Sequence, residues 1–200
     1  MVSCIVSYGN ERLPLSLPEK TRKLQLQEPD KKITPDLFKK RLDLFLHQNR
    51  LDLSSPALIV ADKTRLCGYP DYLPLLIRTL TQHGMAEENL KIIIAYGTHP
   101  RQSDEECIHA YGDLYHRYTF LHHDCQADND FVEMGTTSRN SPIRFRRDLV
   151  QASAIITMGA ICHHYFAGFG GGRKLIFPGC GEREAIYANH RLYLDTHNGI

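Results

Sequence analysis

Ala57-Leu58-Ile59-Val60-Ala61, followed at once by Asp62-Lys63-Thr64-Arg65, is the stretch that decides the fold. Five apolar residues in a row, without the alternation that would leave one face wet, read as a parallel strand covered on both faces. The pattern recurs. Ile92-Ile93-Ile94-Ala95-Tyr96 runs into Gly97-Thr98-His99, and Ala154-Ile155-Ile156-Thr157-Met158 leads towards His163-His164 and a glycine-rich loop. Helix signals lie between and after these runs. One helix is expected from about Asp71 to His83, stopping at Gly84 as a C-cap. Ser103-x-x-Glu106 forms a capping box that opens a second, and a third is expected near Glu182 to Leu194. Upstream, Thr34-Pro35-Asp36 combines a capping hydroxyl, a proline at the first helical position and an acid favoured by the helix dipole. The apolar face of that helix would be Leu37, Phe38, Leu42, Phe45 and Leu46.

Strands alternating with helices predict one α/β domain over residues 1–200, with a Rossmann-like, mostly parallel sheet flanked by helices. Residues 10 to 32, with Pro14, Pro18 and Pro29 among charges, read as an extended N-terminal arm whose short segments pair at a sheet edge. Between residues 113 and 148 the pattern weakens. Short strands are expected at Tyr118 to Leu121 and Phe131 to Met134, and Ile143 to Phe145 is left undecided.

A hydrophobic content of 42% and charges of both signs fit a compact domain with a sizeable core. The net charge of +1 and the lack of a long basic run argue against nucleic-acid binding, which draws on many phosphate contacts. The apolar start Met1-Val2-Ser3-Cys4-Ile5-Val6 is too short for a signal-peptide core or a membrane span, so the expectation is a cytoplasmic protein with small-molecule partners and no membrane. Six cysteines without a Cys-x-x-Cys pair suggest neither structural zinc nor a disulfide framework.

In open α/β sheets ligands gather beyond the carboxyl ends of the strands. Asp62, Arg65, His99, His163, His164 and Lys174 all follow predicted strand ends. Five glycines fall between Gly168 and Gly179, where the backbone must turn or approach a ligand closely. Lys174 sits among them, yet a P-loop needs Gly-Lys-Ser/Thr and here Arg173 precedes the lysine and Leu175 follows it. A dinucleotide fingerprint fails too, since Gly168 and Gly170 lack the third glycine or alanine. Residues alone leave two readings of the loop, a ligand cradle or a structural turn with a solvated lysine. Adjacent His163 and His164 would point to opposite sides of an extended segment, so one of them is structural. His122-His123 also reads as structural. His190 lies sixteen residues after Lys174, near enough to face the same ligand, with Asn189, Asp62 or Asp195 as candidates to hold its ring. One imidazole does not specify a metal.

Asp62-x-Thr64-Arg65, Gly97-Thr98-His99, His164-Tyr165-Phe166-Ala167-Gly168 through Gly171-Gly172-Arg173-Lys174, Pro178-Gly179 and Asn189-His190 together resemble the lactate racemase family. That resemblance implies a nickel-pincer nucleotide, a pyridinium-derived mononucleotide whose ring carbon and two sulfurs hold nickel, tethered to a lysine through a thioamide. It makes Lys174 the attachment point, His190 the protein ligand to nickel, and His99 and His164 the paired acid/base residues. Asp62, Arg65, Gly171 and Gly172 would contact the cofactor or substrate. The implied reaction is racemisation or epimerisation of a 2-hydroxy acid: hydride leaves the α-carbon while one histidine takes the hydroxyl proton, and return to the other face inverts the centre. Members of the family are roughly twice this length. The resemblance therefore implies that a C-terminal domain is missing here, that the chain alone is incomplete for turnover, and that cofactor-biosynthesis proteins act on it. Protein made without that pathway is expected to lack the cofactor. Pro100 and Gly170 look like local departures, consistent with a different 2-hydroxy acid. The alternatives are a related non-catalytic nucleotide- or metal-binding domain, and a zinc hydrolase, disfavoured because no His-x-x-x-His or carboxylate-bearing ligand cluster is present.

Overall fold

The computed structural model describes residues 2–22, 24, 27, 30–164 and 167–194. The chain divides into two units, residues 1–33 and 34–200.

In the first unit, β1 (Val2–Tyr8) and β2 (Glu11–Leu17) pair antiparallel from Val2 opposite Leu17 to Tyr8 opposite Glu11. The intervening turn places Gly9 at φ 59°, where a side chain would be strained. Part of the expected arm is thus a strand whose partner is the segment before it. Pro14 is tolerated because both strands of a two-stranded ribbon are edges. Pro29 lies outside the described residues.

The second unit opens with α1 (Pro35–Gln48), capped by Thr34, whose hydroxyl accepts the Leu37 N–H at 3.2 Å. Next come β3 (Ala57–Ala61), α2 (Tyr69–Gln82), β4 (Lys91–Ala95), α3 (Asp104–Tyr111), α4 (Leu114–Arg117) and β5 (Phe120–His122). An antiparallel ribbon of β6 (Phe131–Thr136) and β7 (Pro142–Arg146) follows, then α5 (Arg147–Val150) and β8 (Ile155–Met158). The last elements are a two-residue hairpin of β9 (His163–His164) and β10 (Gly168–Phe169), then α6 (Arg173–Ile176) and α7 (Arg183–Arg191). The Ser103–Glu106 capping box is present in full at the start of α3.

Strands β5-β4-β3-β8 form one parallel sheet in that order, flanked by helices. Every residue of β3 is buried and Ile92, Ile93 and Ile94 of β4 are fully so, as expected of central strands. The third apolar run behaves differently: β8 is an outer strand, and Ile155 is 42% exposed. The undecided Ile143 to Phe145 falls inside β7. On α1 only the Phe38, Leu42, Leu46 stripe packs inward, and Leu37 and Phe45 stay exposed. Spacing of four residues keeps the first three on the side facing α2, whereas Leu37 and Phe45 lie off that line.

Pairing of β3 with β8 ends at Val60 and Met158, and there the two strands part. The buried Tyr69 hydroxyl fills the gap, accepting the Ala61 N–H at 2.6 Å and donating to the Met158 carbonyl at 2.9 Å. Tyr111 takes the Ala61 carbonyl at 2.8 Å. Tyr69→Phe would strand both groups without a partner, and a loss of about 1–3 kcal/mol in urea unfolding is expected.

His123 is 3% exposed. Its Nε2 lies 3.0 Å from the Gly181 carbonyl, and its Nδ1 has no partner. Burial, aided by the Arg146 charge, pushes its pKa down from 6.5 to about 4. The unfolded chain therefore binds this proton first. Stability from the neutral ring is complete above the unfolded value and falls away as pH drops towards about 4, by about 3 kcal/mol in all. Urea midpoints measured from pH 7 to 4 should fall accordingly, and His123→Leu should flatten the slope.

Candidate active site at the strand ends

The strand order turns around at β3: the chain proceeds outward to β4 and β5, then returns to the other side as β8. A crevice at such a switch point, beyond the carboxyl ends, is where open sheets bind ligands. A cavity of about 360 Å³ lies there, lined by Asp62 and Arg65 after β3, His99 after β4, His164, Gly171 and Lys174 after β8, and His190 of α7.

Asp62 caps a single turn of 3-10 helix over Lys63–Arg65, its Oδ1 accepting from the Thr64 N–H at 2.9 Å and the Thr64 hydroxyl at 2.6 Å. Its Oδ2 lies 2.6 Å from His99 Nδ1. Asp62 is 4% exposed, while the His99 side chain is half exposed. A buried carboxylate thus fixes the ring that faces the cavity, and both its oxygens are engaged inside the protein. Asp62, which the resemblance makes a cofactor or substrate contact, lines the cavity and is the partner of His99. The other carboxylate weighed for His190, Asp195, lies outside the described residues.

His163 and His164 divide as adjacent residues of an extended segment must. His163 is exposed and meets the Phe169 ring at a tilt, 5.0 Å between ring centres, whereas His164 lines the cavity, with its Nδ1 accepting the Ala167 N–H at 3.3 Å. Tyr165 and Phe166 of this motif lie outside the described residues. Gly171 has φ 76°, and a Cβ there would run into the Ala160 carbonyl oxygen, so the loop closes against the end of β8 only with glycine at this place. Gly172 precedes α6 at φ 52° and, like Asn189, lines an adjoining groove of about 690 Å³. Phe145, Ile161, Phe169 and Phe177 wall that groove, and Lys174 and His190 border both spaces. The aromatic wall comes from β7, β10 and the end of α6, elements with too little periodicity to reveal it in the sequence.

Electrostatics follow from this crowding. Burial lowers the pKa of Lys174, and the Arg65 guanidinium lowers it further. Loss of hydration, then Lys174, Arg65 and His190, keep His164 below its ordinary value. Burial and Lys174 do the same for His190. Near neutral pH the two imidazoles are therefore mostly unprotonated, able to accept a proton or bind a metal. Among the described residues no group of three or more His, Cys, Asp or Glu side chains could hold a metal ion. No helix among them is long and apolar enough to cross a membrane.

The fold and site define an α/β domain that presents histidines, an arginine and a loop lysine to one crevice. The chain belongs to the lactate racemase N-terminal domain family, which it matches over residues 8–199. It is 29% identical to the lactate racemase of Thermoanaerobacterium thermosaccharolyticum over 201 residues, covering 95% of this chain and 47% of that protein. Over 134 residues it is 30% identical to the lactate racemase of Lactiplantibacillus plantarum, covering 66% of this chain and 31% of that one. The apoprotein structure of the Thermoanaerobacterium enzyme superposes with a TM-score of 0.78 at 27% identity, over 94% of this chain and 46% of that one. A crystal structure from Thermotoga maritima shares the fold, with a TM-score of 0.67 at 24% identity over 80% of this chain and 41% of the other. The chain spans less than half the length of each of these proteins.

Proposed function

We propose that residues 1–200 form the cofactor-bearing N-terminal domain of a 2-hydroxyacid racemase or epimerase that works with a nickel-pincer nucleotide, and that a C-terminal domain completes the enzyme. The observation that carries this reading is the convergence of Arg65, His99, His164, Lys174 and His190 on one cavity. The donor set fits such a group. Of the three imidazoles at the cavity, His190 alone also borders the adjoining groove, beside an amine whose proton is held weakly, which suits a metal that brings most of its ligands on an organic frame tethered to that amine. The aromatic groove next to Lys174 offers apolar surface for a flat ring system.

When bound, the group supplies a centre that takes hydride from the substrate's α-carbon and returns it to either face. The chain supplies the remainder. Arg65 can hold the substrate carboxylate by paired hydrogen bonds. His99 and His164, reaching the cavity from different strand ends, serve as the two groups that remove and return the hydroxyl proton. The test is an assay of the longer protein, made together with the cofactor-biosynthesis enzymes, on separate enantiomers of a panel of 2-hydroxy acids. Conversion of one enantiomer into the mixture is expected for at least one of them. Inversion of none, by protein whose intact mass shows the adduct, would refute the activity.

A further inference from the structure

His122 and His123 both come at the end of β5 but enter different surroundings. His123 is sealed in the core, whereas His122 stands in a run of hydrogen bonds that leads to the candidate site. The Tyr115 hydroxyl donates to Asp104 Oδ1 at 2.8 Å. A hydroxyl has one proton, so the same oxygen accepts from His122 Nε2, 3.3 Å away. An imidazole protonated on Nε2 leaves Nδ1 as an acceptor, and the Tyr96 hydroxyl lies 2.8 Å from it. The Tyr96 oxygen in turn accepts the Gln102 backbone N–H at 3.3 Å.

Gln102 is 3% exposed, and its Oε1 accepts the Lys63 N–H at 2.8 Å. One buried residue thus joins the segment after β4, which carries His99, to the turn after β3, which carries Asp62 and Arg65. The two segments so joined carry the partners of the 2.6 Å Asp62–His99 contact. We infer that His122 is a positioning residue: through Tyr96 and Gln102 it sets the separation of the two loops that hold Asp62 against His99. Its importance for turnover rests on the acid/base reading of His99, while the geometry does not.

The direction of every bond in the run is fixed by the neutral ring. A second proton, on Nδ1, would face the Tyr96 oxygen and turn that hydroxyl's own proton away from the ring. Burial and the Arg101 charge favour the neutral form, Asp104 opposes it, and Arg146 from β7 holds the His122 carbonyl at 3.3 Å.

Amide hydrogen exchange of the 200-residue chain tests this without cofactor or activity. In His122→Phe, the Lys63 and Gln102 amides are expected to exchange about tenfold faster, with Ile93 and Ile94 in the sheet unchanged. His122→Gln, which keeps one acceptor and one donor, is expected to restore protection. Tyr115→Phe deletes only the far hydroxyl and is expected to act in the same direction by about threefold, which covers failure of the first variant to fold. Unchanged protection at Lys63 and Gln102 in the folded variants overturns the proposal. So does equal loss in the Gln and Phe variants, which would mark mere packing. In the longer protein, His122→Phe should lower kcat about tenfold with KM little changed, and His122→Gln should recover it. Altered exchange with rescue but an unchanged kcat would uphold the positioning and count against the acid/base reading of His99.

Discussion

Protein carrying Lys174→Ala, made alongside the cofactor-biosynthesis enzymes, is expected to keep the mass of the bare chain and to lose racemisation down to the uncatalysed background. Wild-type protein made in the same cells should gain the mass of the adduct. Lys174→Arg is the sharper version, because it preserves charge and length while removing a nucleophilic amine: a guanidinium stays protonated at any working pH. If positive charge in the loop were what mattered, the arginine variant would retain function. The proposed covalent role draws on where Lys174 sits: it lies in α6, after Gly171 and Gly172 let the loop fold tightly against the end of β8, and burial and Arg65 both loosen its proton. His190→Ala should separate tether from metal. That variant is expected to keep the adduct mass and lose nickel by elemental analysis, with activity falling together with the metal. An adduct that survives Lys174→Ala would place the attachment elsewhere.

The apolar runs that make β3 and β4 are legible in the sequence because central parallel strands must be buried on both faces. Helix starts are equally readable where a side chain does the capping, as at Thr34 and Ser103. The outer strand β8 is less so. Its composition is that of a central strand, but its place at the edge of the sheet is set by long-range topology. The same holds for α1, whose five apolar residues do not reveal which stripe meets α2. At the site, position along the chain signalled which residues end strands, and the resemblance assigned them roles. The pairing of Asp62 with His99 needs two loops brought together across 37 residues of sequence, which the lateral pairing of β3 with β4 and the Gln102 bond to Lys63 do. Asp62-x-Thr64 carries a local trace, the turn in which a carboxylate accepts from the residue two ahead. Nothing local points to the histidine.

Asp62→Asn is expected to lower kcat of the longer protein by about a hundredfold or more while changing KM little, an effect comparable with that of removing His99. The reason lies in how Asp62 is held. Its Oδ1 accepts two hydrogen bonds from Thr64, so the amide oxygen of the substituted side chain must take that place and its NH₂ must turn to His99 Nδ1. An NH₂ donates and does not accept. Nδ1 would therefore be forced to carry the lone pair and Nε2 the proton, leaving the nitrogen not engaged by Asp62 unable to receive a proton from substrate. The carboxylate imposes the opposite tautomer and steadies the imidazolium that forms on proton transfer. Burial strengthens this, since a 4% exposed carboxylate is little screened by water. His99→Ala should cost about 10²–10⁴ in kcat, and the double variant should be no worse than His99→Ala alone if Asp62 acts only through the ring it holds. Separate, multiplying losses would mean that Asp62 also touches the substrate or cofactor directly. A single Asp62→Asn variant with wild-type kcat would remove the pair from the mechanism.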